Sequence, residues 1–314
     1  EVAAKTLRSK WINVGEETAL FVITPSFTMV ATNTAILEQY GVPIFVDANY
    51  ETANIEPSNI EKRITRKTKA IACVHNLGYP CDLKELRAIA EEHSLALIED
   101  CAHAIGAVYR NEFIGANSDY ACYSFAPVKH ITTGDGGMFT TQSQKIFNSA
   151  NVRSWFGMNR AKRDPQTGQY SDDITEVGYK MRLNGFLSAI GREQLHFIDG
   201  ILVQRREKAR LYDEALGGVK GVELMQYAAD RLSSYHLYPI HVERRDQFAA
   251  MMKSKGIELY VQNFRNDRFS VFGGLRKDLP STERLDRDFM CLPIHEDLAP
   301  DDLDYIIQAV KAGW

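Results

Sequence analysis

Between residues 21 and 141, short apolar runs alternate with segments of helical periodicity. FVITP (21–25), PIFVD (43–47), KAIACVHNLG (69–78), LALIED (95–100), DYACYSF (119–125) and GGMFTT (136–141) read as strands. SFTMVATNTAILEQYG (26–41) reads as a helix closed by Gly41, and DLKELRAIAEEHS (82–94) as a helix that Asp82 can cap. Continuous apolar strands alternating with helices predict a mostly parallel sheet covered on both faces, a fold of the α/β class. Such sheets carry their ligands at the carboxyl ends of the strands. Asp100 and Ser124 stand at two of those ends, and His75, Asn76 and Gly78 follow a third. The polar stretch 159–182 predicts a long loop, and the helical pattern over 184–216 a connector into a smaller C-terminal α+β domain. There YHLYPIHV (235–242) reads as a strand, with helices over 245–256 and 301–314. The expected division is an N-terminal helical segment at 1–17, a large domain at 18–200 and a small domain at 201–314.

The chain's 314 residues leave ample room for two cores. A net charge of -4 and the lack of a dense basic run give no footprint for nucleic acid. No stretch of about 20 apolar residues is present, as a membrane span requires. The N-terminus lacks the apolar centre of a signal peptide. Five scattered cysteines without CxxC spacing indicate neither a zinc site nor a disulfide framework. The expectation is a cytoplasmic protein with no metal centre.

Chemistry concentrates in IEDCAHAIG (98–106) and SFAPVKHITTGDGG (124–137). Taken alone, Asp100 is as well explained by a helix N-cap as by a cationic partner. Joined to Ser124 and Lys129, it supplies an acid for a ring nitrogen, a hydroxyl for a phosphate and an amine for an aldehyde. That combination matches pyridoxal 5'-phosphate. Asp100 would keep the pyridine nitrogen protonated, because an opposite charge favours the charged form. Ala102 is small enough for a ring to lie flat, and His103 can reach its edge. Lys129 would hold the aldehyde as an imine and shuttle the proton once released. Glycines 134, 136 and 137 allow a sharp turn beneath the cofactor. GDGG fits neither the GxGxxG nor the GxxxxGK template of nucleotide loops.

These segments, with ITPSFTMVATNTAI, GVPIFVD, GYKMRLNGFLSAIGREQL and CLPIHEDL, closely resemble the nucleotide-sugar aminotransferases of the DegT/DnrJ/StrS type. The resemblance runs from about residue 18 to the C-terminus. It implies the aspartate aminotransferase-like fold type I, with Asp100 at the ring nitrogen, His103 at the ring edge, Ser124 at the phosphate and Lys129 as the imine lysine. It also implies a homodimer in which GYKMRLNG crosses to the neighbouring site. Lys180 stands where most members have asparagine, and as a point charge it suits the same phosphate. Arg182 is a candidate for the carboxylate of an amino-acid donor, with a structural interface salt bridge as the equal alternative. Met29 replaces the aromatic residue that many members stack on the cofactor. The largest departure is near the start, where the family's long stretch with a Ser-Gly-Thr-Ala-like phosphate cup is missing before FVITP. A true deletion and a gap between about residues 15 and 21 are both open, the gap being the favoured reading, and Thr18, Ala19 and Leu20 read as the remnant of the cup. Thr18 and Ala19 remain candidate cofactor contacts through helix-start amides.

The implied function is transfer of an amino group, with glutamate the expected donor, to a keto-deoxysugar carried on a nucleotide. Asn263, Arg265 and His295 are candidate substrate contacts, the first two within QNFRNDRFSVFGG (262–274), which reads equally as an ordinary polar loop. Dehydratases of the same fold carry histidine at the lysine position, and Lys129 argues against them. An aminotransferase of cyclitol ketones and a non-catalytic sensor or scaffold remain the alternatives.

Overall fold

The computed structural model describes residues 20–170 and 173–314, so the segment 1–17 and the candidates Thr18 and Ala19 lie outside the described residues. Six strands form the main sheet: β1 (Phe21–Pro25), β2 (Val42–Val46), β3 (Thr68–Val74), β4 (Ala96–Asp100), β5 (Tyr120–Ser124) and β6 (Gly137–Thr140). Their spatial order is β2-β1-β3-β4-β5-β6. The first five run parallel, and β6 returns antiparallel to β5. The sheet is mixed for a local reason: residues 125–136 connect β5 to β6 without a crossover helix, which only antiparallel pairing permits. Each predicted apolar run falls on a strand, with ends shifted by a few residues.

Helix α1 (Val30–Glu38) is shorter than predicted because Phe27 and Thr28 pair instead with Arg265 and Phe264. Two expected caps also differ. The left-handed residue after α1 is Tyr40, at φ 60°, not Gly41. Gly41 is needed for close approach, since a Cβ there would lie 2.8 Å from Ile36 Cγ2. Asp82 stands at the start of α2 (Leu83–Glu92) without capping it. Its carboxylate pairs with Arg231 at 2.7 Å, where a guanidinium packed over Tyr79 and Tyr109 requires a counter-charge.

The predicted run 184–216 divides into α4 (Gly185–Gln194), a short turn, and α5 (Ile198–Leu216), following α3 (Gln144–Arg153). Beyond it, β7 (Val222–Leu224), β8 (Tyr238–Val242) and β9 (Phe289–Leu292) form an antiparallel sheet in the order β7-β8-β9. Helices α6 (Arg245–Ser254), α7 (Pro280–Asp288) and α8 (Pro300–Lys311) complete this part. Two cores result. One gathers Ile23, Ile71, Cys73 and Leu86 around the large sheet, and the other Tyr212, Tyr238, Phe248 and Val310 around the small one. Phe27, Leu77, Phe289 and Cys291 form a third cluster drawn from both halves.

A buried ionic network fixes the halves together next to β1. Asp267 is fully buried and accepts from Ser26 Oγ at 2.7 Å, from Arg265 Nε and Nη2 at 3.0 and 2.7 Å, and from the Arg276 amide at 2.7 Å. Burial alone would raise its pKa, but these donors hold the carboxyl below the usual carboxylate range. Removing one member of such a buried pair leaves the other charge uncompensated. Asp267→Ala is therefore expected to cost about 3–5 kcal/mol in denaturant unfolding. A loss under about 1 kcal/mol, the range of an exposed pair, would contradict this account.

Candidate active site

The register of the central strands sets the site. Asp100 pairs with Val74 of β3 and Cys122 of β5, so it sits at the carboxyl rim between two parallel neighbours. Side chains alternate along a strand, so Glu99 and Asp100 face opposite sides of the sheet. Glu99 is buried and takes hydrogen bonds from Ser118 and from His75 Nε2, the latter at 3.3 Å, with Arg87 at 3.4 Å. Burial would raise its pKa, but His75, Ser118 and Arg87 prevail and hold it at about 2.

Asp100 makes fewer contacts. Its Oδ2 accepts from Thr32 Oγ1 at 2.7 Å, and its Oδ1 from the Ala102 amide at 3.0 Å. Each oxygen retains acceptor capacity toward the rim. The helix N-cap reading of Asp100 does not apply, since no helix follows β4 directly.

Ser124 ends β5, opposite Gly137 of β6. Its Oγ accepts from the Ala126 amide at 3.3 Å, which leaves the hydroxyl proton to donate. The connection that follows is tied by Phe125 and Gly136, the amide of the first donating to the carbonyl of the second at 2.9 Å. Gly136 adopts φ +128°, a conformation that side-chain-bearing residues avoid. Lys129 projects from this connection. Its ammonium is half-buried and has no carboxylate within salt-bridge distance among the described residues. Burial lowers its pKa to about 8, against the opposing pull of the Asp100 carboxylate. Near physiological pH such an amine is still mostly protonated, but its neutral fraction is far larger than that of an ordinary lysine, as a nucleophilic lysine requires.

His103 is buried beside Lys129 and stays neutral, its pKa pushed well below the usual histidine value by burial, then by Lys129 and His130. The Leu77 amide donates to its Nδ1 at 3.4 Å, which places the ring proton on Nε2. Ala102 lies beside it, and Met29, 43% exposed, stands at the start of α1. The structure thus gathers Asp100, Ala102, His103, Ser124 and Lys129 at one rim. Sequence reasoning missed Thr32, which lies on the first turn of a helix leaving a strand end. It also missed His130 and His236, which line the same corner; the histidine flanking Lys129 was the available signal.

The remaining candidates are placed elsewhere within the chain. Lys180 is exposed and bridges to Trp155. The Arg182 guanidinium donates to the carbonyl and side-chain oxygens of Asn151 at 3.0 and 3.1 Å, closing the end of α3. Asn263 is buried against Asn76, and Arg265 is spent on Asp267. His295 lines a cavity of about 580 Å³ together with Val128, His236, Tyr260, Gln262 and Tyr305. That cavity abuts the Lys129 loop through Val128 and His236, but Asp100, Ser124 and Lys129 are not on its wall. The cluster expected from the sequence therefore lies at the strand rim, beside this cavity and not on its wall.

His75, Glu99 and Cys101 also lie close enough to hold a metal. However, His75 Nδ1 accepts from the Cys81 amide at 3.0 Å, so its Nε2 carries a proton and donates to Glu99. Both imidazole nitrogens are occupied, and the cluster serves as a structural network.

A parallel sheet with an acid at one strand end and a pKa-depressed lysine beside the next defines a fold type I aminotransferase. The family model of the DegT/DnrJ/EryC1/StrS aminotransferases matches residues 3–311, and the chain belongs to that family. The crystal structure of the sugar aminotransferase CalS13 from Micromonospora echinospora is 34% identical, with a TM-score of 0.89 over 94% of this chain and 81% of that one. DesV of S. venezuelae, solved in complex with a ketimine intermediate, is 28% identical, with a TM-score of 0.86 over 93% of this chain and 78% of that one. The spore coat polysaccharide biosynthesis protein SpsC of Bacillus subtilis (strain 168) is 29% identical over 97% of this chain and 81% of its own length.

The lysine pKa gives a directional test. Neutral amine predominates above about 8, so the rate at which the apoprotein captures a small aldehyde should rise about tenfold per pH unit below 8 and level off above it. A rise that continues unabated to pH 10 would mean an ordinary solvated lysine. Thr32→Val should leave the fold intact and weaken binding of an aldehyde cofactor several-fold, read by absorbance titration, because one hydrogen bond orienting Asp100 is lost.

Proposed function

We propose that this aminotransferase uses pyridoxal 5'-phosphate, bound through Lys129, to move an amino group from glutamate to a keto-deoxysugar carried on a nucleotide. The observation that carries the reading is Lys129, half-buried, depressed to about 8 and facing the Asp100 carboxylate across the rim. The residues present fit the cofactor. Asp100 keeps acceptor capacity for a protonated ring nitrogen, Ala102 leaves room for a flat ring, Ser124 has a proton to give a phosphate, and His103 offers an Nε2–H at the ring edge. Bound there, the cofactor supplies an electron sink for the charge left on a substrate carbon that loses its proton. Lys129 moves that proton, taking it as the neutral amine and returning it as the ammonium. His103, kept uncharged, adds no positive charge that would hold the lysine protonated.

The sugar substrate is supported by CalS13, a sugar aminotransferase, and by SpsC, a polysaccharide biosynthesis protein. The nucleotide and the glutamate donor are the reading that the resemblance of the chain's motifs to the family supports. We place the phosphates of the nucleotide away from the 580 Å³ cavity. Its one guanidinium, Arg205, is paired with Glu296 at 2.8 Å, while Glu258 and Asp302 lie on its wall.

The working unit is proposed to be a homodimer in the cytoplasm. Val177, Met181 and Phe186 are 78, 69 and 76% exposed along the GYKMRLNG region and α4, apolar side chains that a second copy would cover. A second copy covering that face would bring Lys180 toward the neighbouring cofactor phosphate and offer Arg182 to the donor carboxylate. Five unbridged cysteines suit a reducing compartment.

Borohydride treatment of the cofactor-loaded protein should attach the reduced pyridoxyl group to Lys129, read by peptide mass, and Lys129→Ala should lose at least a thousandfold in turnover. Attachment at any other lysine overturns the reading. Turnover with glutamate and a panel of keto-sugar nucleotides tests the substrate class, and amination of cyclitol ketones alone would move it. Phe186→Glu should shift the protein toward monomer in light scattering, and an unchanged dimer would place the interface elsewhere.

A further inference from the structure

We propose that His236 is a positioning residue of the active site, the platform on which His103 is held flat and in one tautomer. This rests on the reading of the site given above. The two imidazoles stack with centroids 4.3 Å apart and planes 16° from parallel. Both rings are buried, His103 at 4% exposure and His236 at 3%. The peptide of Leu77 serves both. Its amide donates to His103 Nδ1 at 3.4 Å, and its carbonyl accepts the His236 amide at 2.8 Å. Leu77 itself sits at φ 52°, in the left-handed region that a leucine enters only at a cost of about 1–3 kcal/mol. Strain held at a buried leucine, whose two peptide groups address two stacked rings, marks a geometry that the surroundings enforce.

The segment carrying His236 is fastened on every side. The Ser234 amide donates to Gly78 O at 3.0 Å, and its hydroxyl to His103 O at 2.8 Å. The carbonyl of Ser234 accepts from His130 Nε2 at 2.8 Å. Arg205 Nη1 binds the carbonyls of Tyr235 and His236 at 3.2 and 3.0 Å. A Cβ on Gly78 would fall 2.3 Å from Ser234 Oγ, so that contact needs glycine. The second half of the chain is thereby latched onto the histidine at the cofactor's edge.

His236 contributes a flat ring and no charge. Its Nδ1 is buried without a hydrogen-bond partner. The charged and titratable groups facing the pair are Lys129, His130 and Arg205, with Glu296 behind Arg205. Three of these are bases, so a proton on either stacked ring would add like charge beside Lys129. Burial and these neighbours push both rings well below the usual histidine range. The stack therefore fixes the Nε2–H of His103 toward the cofactor edge and keeps the lysine's surroundings uncharged.

The test compares His236→Ala, which removes the platform, with His236→Phe, which keeps a flat ring. Binding of pyridoxal 5'-phosphate is followed by absorbance titration, turnover is split into kcat and KM, and melting temperature reports folding. His236→Ala is expected to bind the cofactor at least tenfold more weakly and to lower kcat, with KM for the acceptor within twofold. His236→Phe should stay within threefold of the wild type. A folded His236→Ala that binds within twofold of wild type, or a His236→Phe as weak as the alanine variant, overturns the proposal. Nitrogen-15 spectra of the histidines in the unsubstituted protein decide the matter even where His236→Ala does not fold. Neither ring should titrate near the usual histidine value, with His103 neutral and protonated on Nε2, and either ring titrating near 6.5 overturns the stack. Wild-type protein that takes up no cofactor would sink the functional reading, while the spectra still judge the stack.

Discussion

Adjacent carboxylates on one buried strand organise this molecule. Because β4 lies between β3 and β5, alternation sends Glu99 beneath the sheet and leaves Asp100 at its rim. Ionised carboxylates buried in low dielectric require partners. Glu99 has them in His75, Ser118 and Arg87. Asp100 has two neutral donors, Thr32 and the Ala102 amide, and a lysine that faces it without pairing. The fold satisfies one acid completely and leaves the other with capacity. A slip of one residue in the register of β4 would exchange their roles and destroy the site.

The lysine follows the same logic. A buried ammonium is costly, and the described residues supply no carboxylate at ion-pair distance to offset it. Three imidazoles around it could have worsened the repulsion, but each is buried deeply enough to stay neutral. His130 shows this most directly: burial and Arg205 take its pKa down to about 3, against the pull of the Ser234 carbonyl. The result is an amine that can lose its proton at ordinary pH without leaving a second charge behind. This is the condition that imine chemistry sets for a lysine.

The strands of the large sheet and the cluster of polar residues at its rim were legible in the sequence because both are local. Apolar runs of four to seven residues declare buried parallel strands, and EDCAHAIG and SFAPVK place their polar residues directly at strand ends. Contacts made across long separations were not legible. Thr32 reaches Asp100 over 68 residues, and His236 stacks on His103 from the other half of the chain. Neither lies in a run whose period reveals its partner. The polar stretch 262–274 shows the converse limit. Its arginine and asparagines suggested a ligand lining, but Arg265, Asn266 and Asp267 are consumed in joining the halves. Polar composition registers the presence of hydrogen-bonding groups, and only the fold shows whether they are already used.

That distinction also separates two segments that cross between the halves. Residues 263–276 approach β1 and α1 with charged and amide side chains that satisfy one another, so they stabilise the interface and have little left to offer a ligand. Residues 233–236 approach the end of β3 mainly through backbone groups, with Ser234, His236 and their clamps spending carbonyls and amides. Backbone latching leaves the His236 ring Nδ1 without a partner, and what the ring offers His103 is its flat shape and its lack of charge. Both are what the role proposed for His103 requires. The two crossings therefore differ in kind, one made of compensating charges and the other of peptide groups that deliver a flat neutral surface to the site.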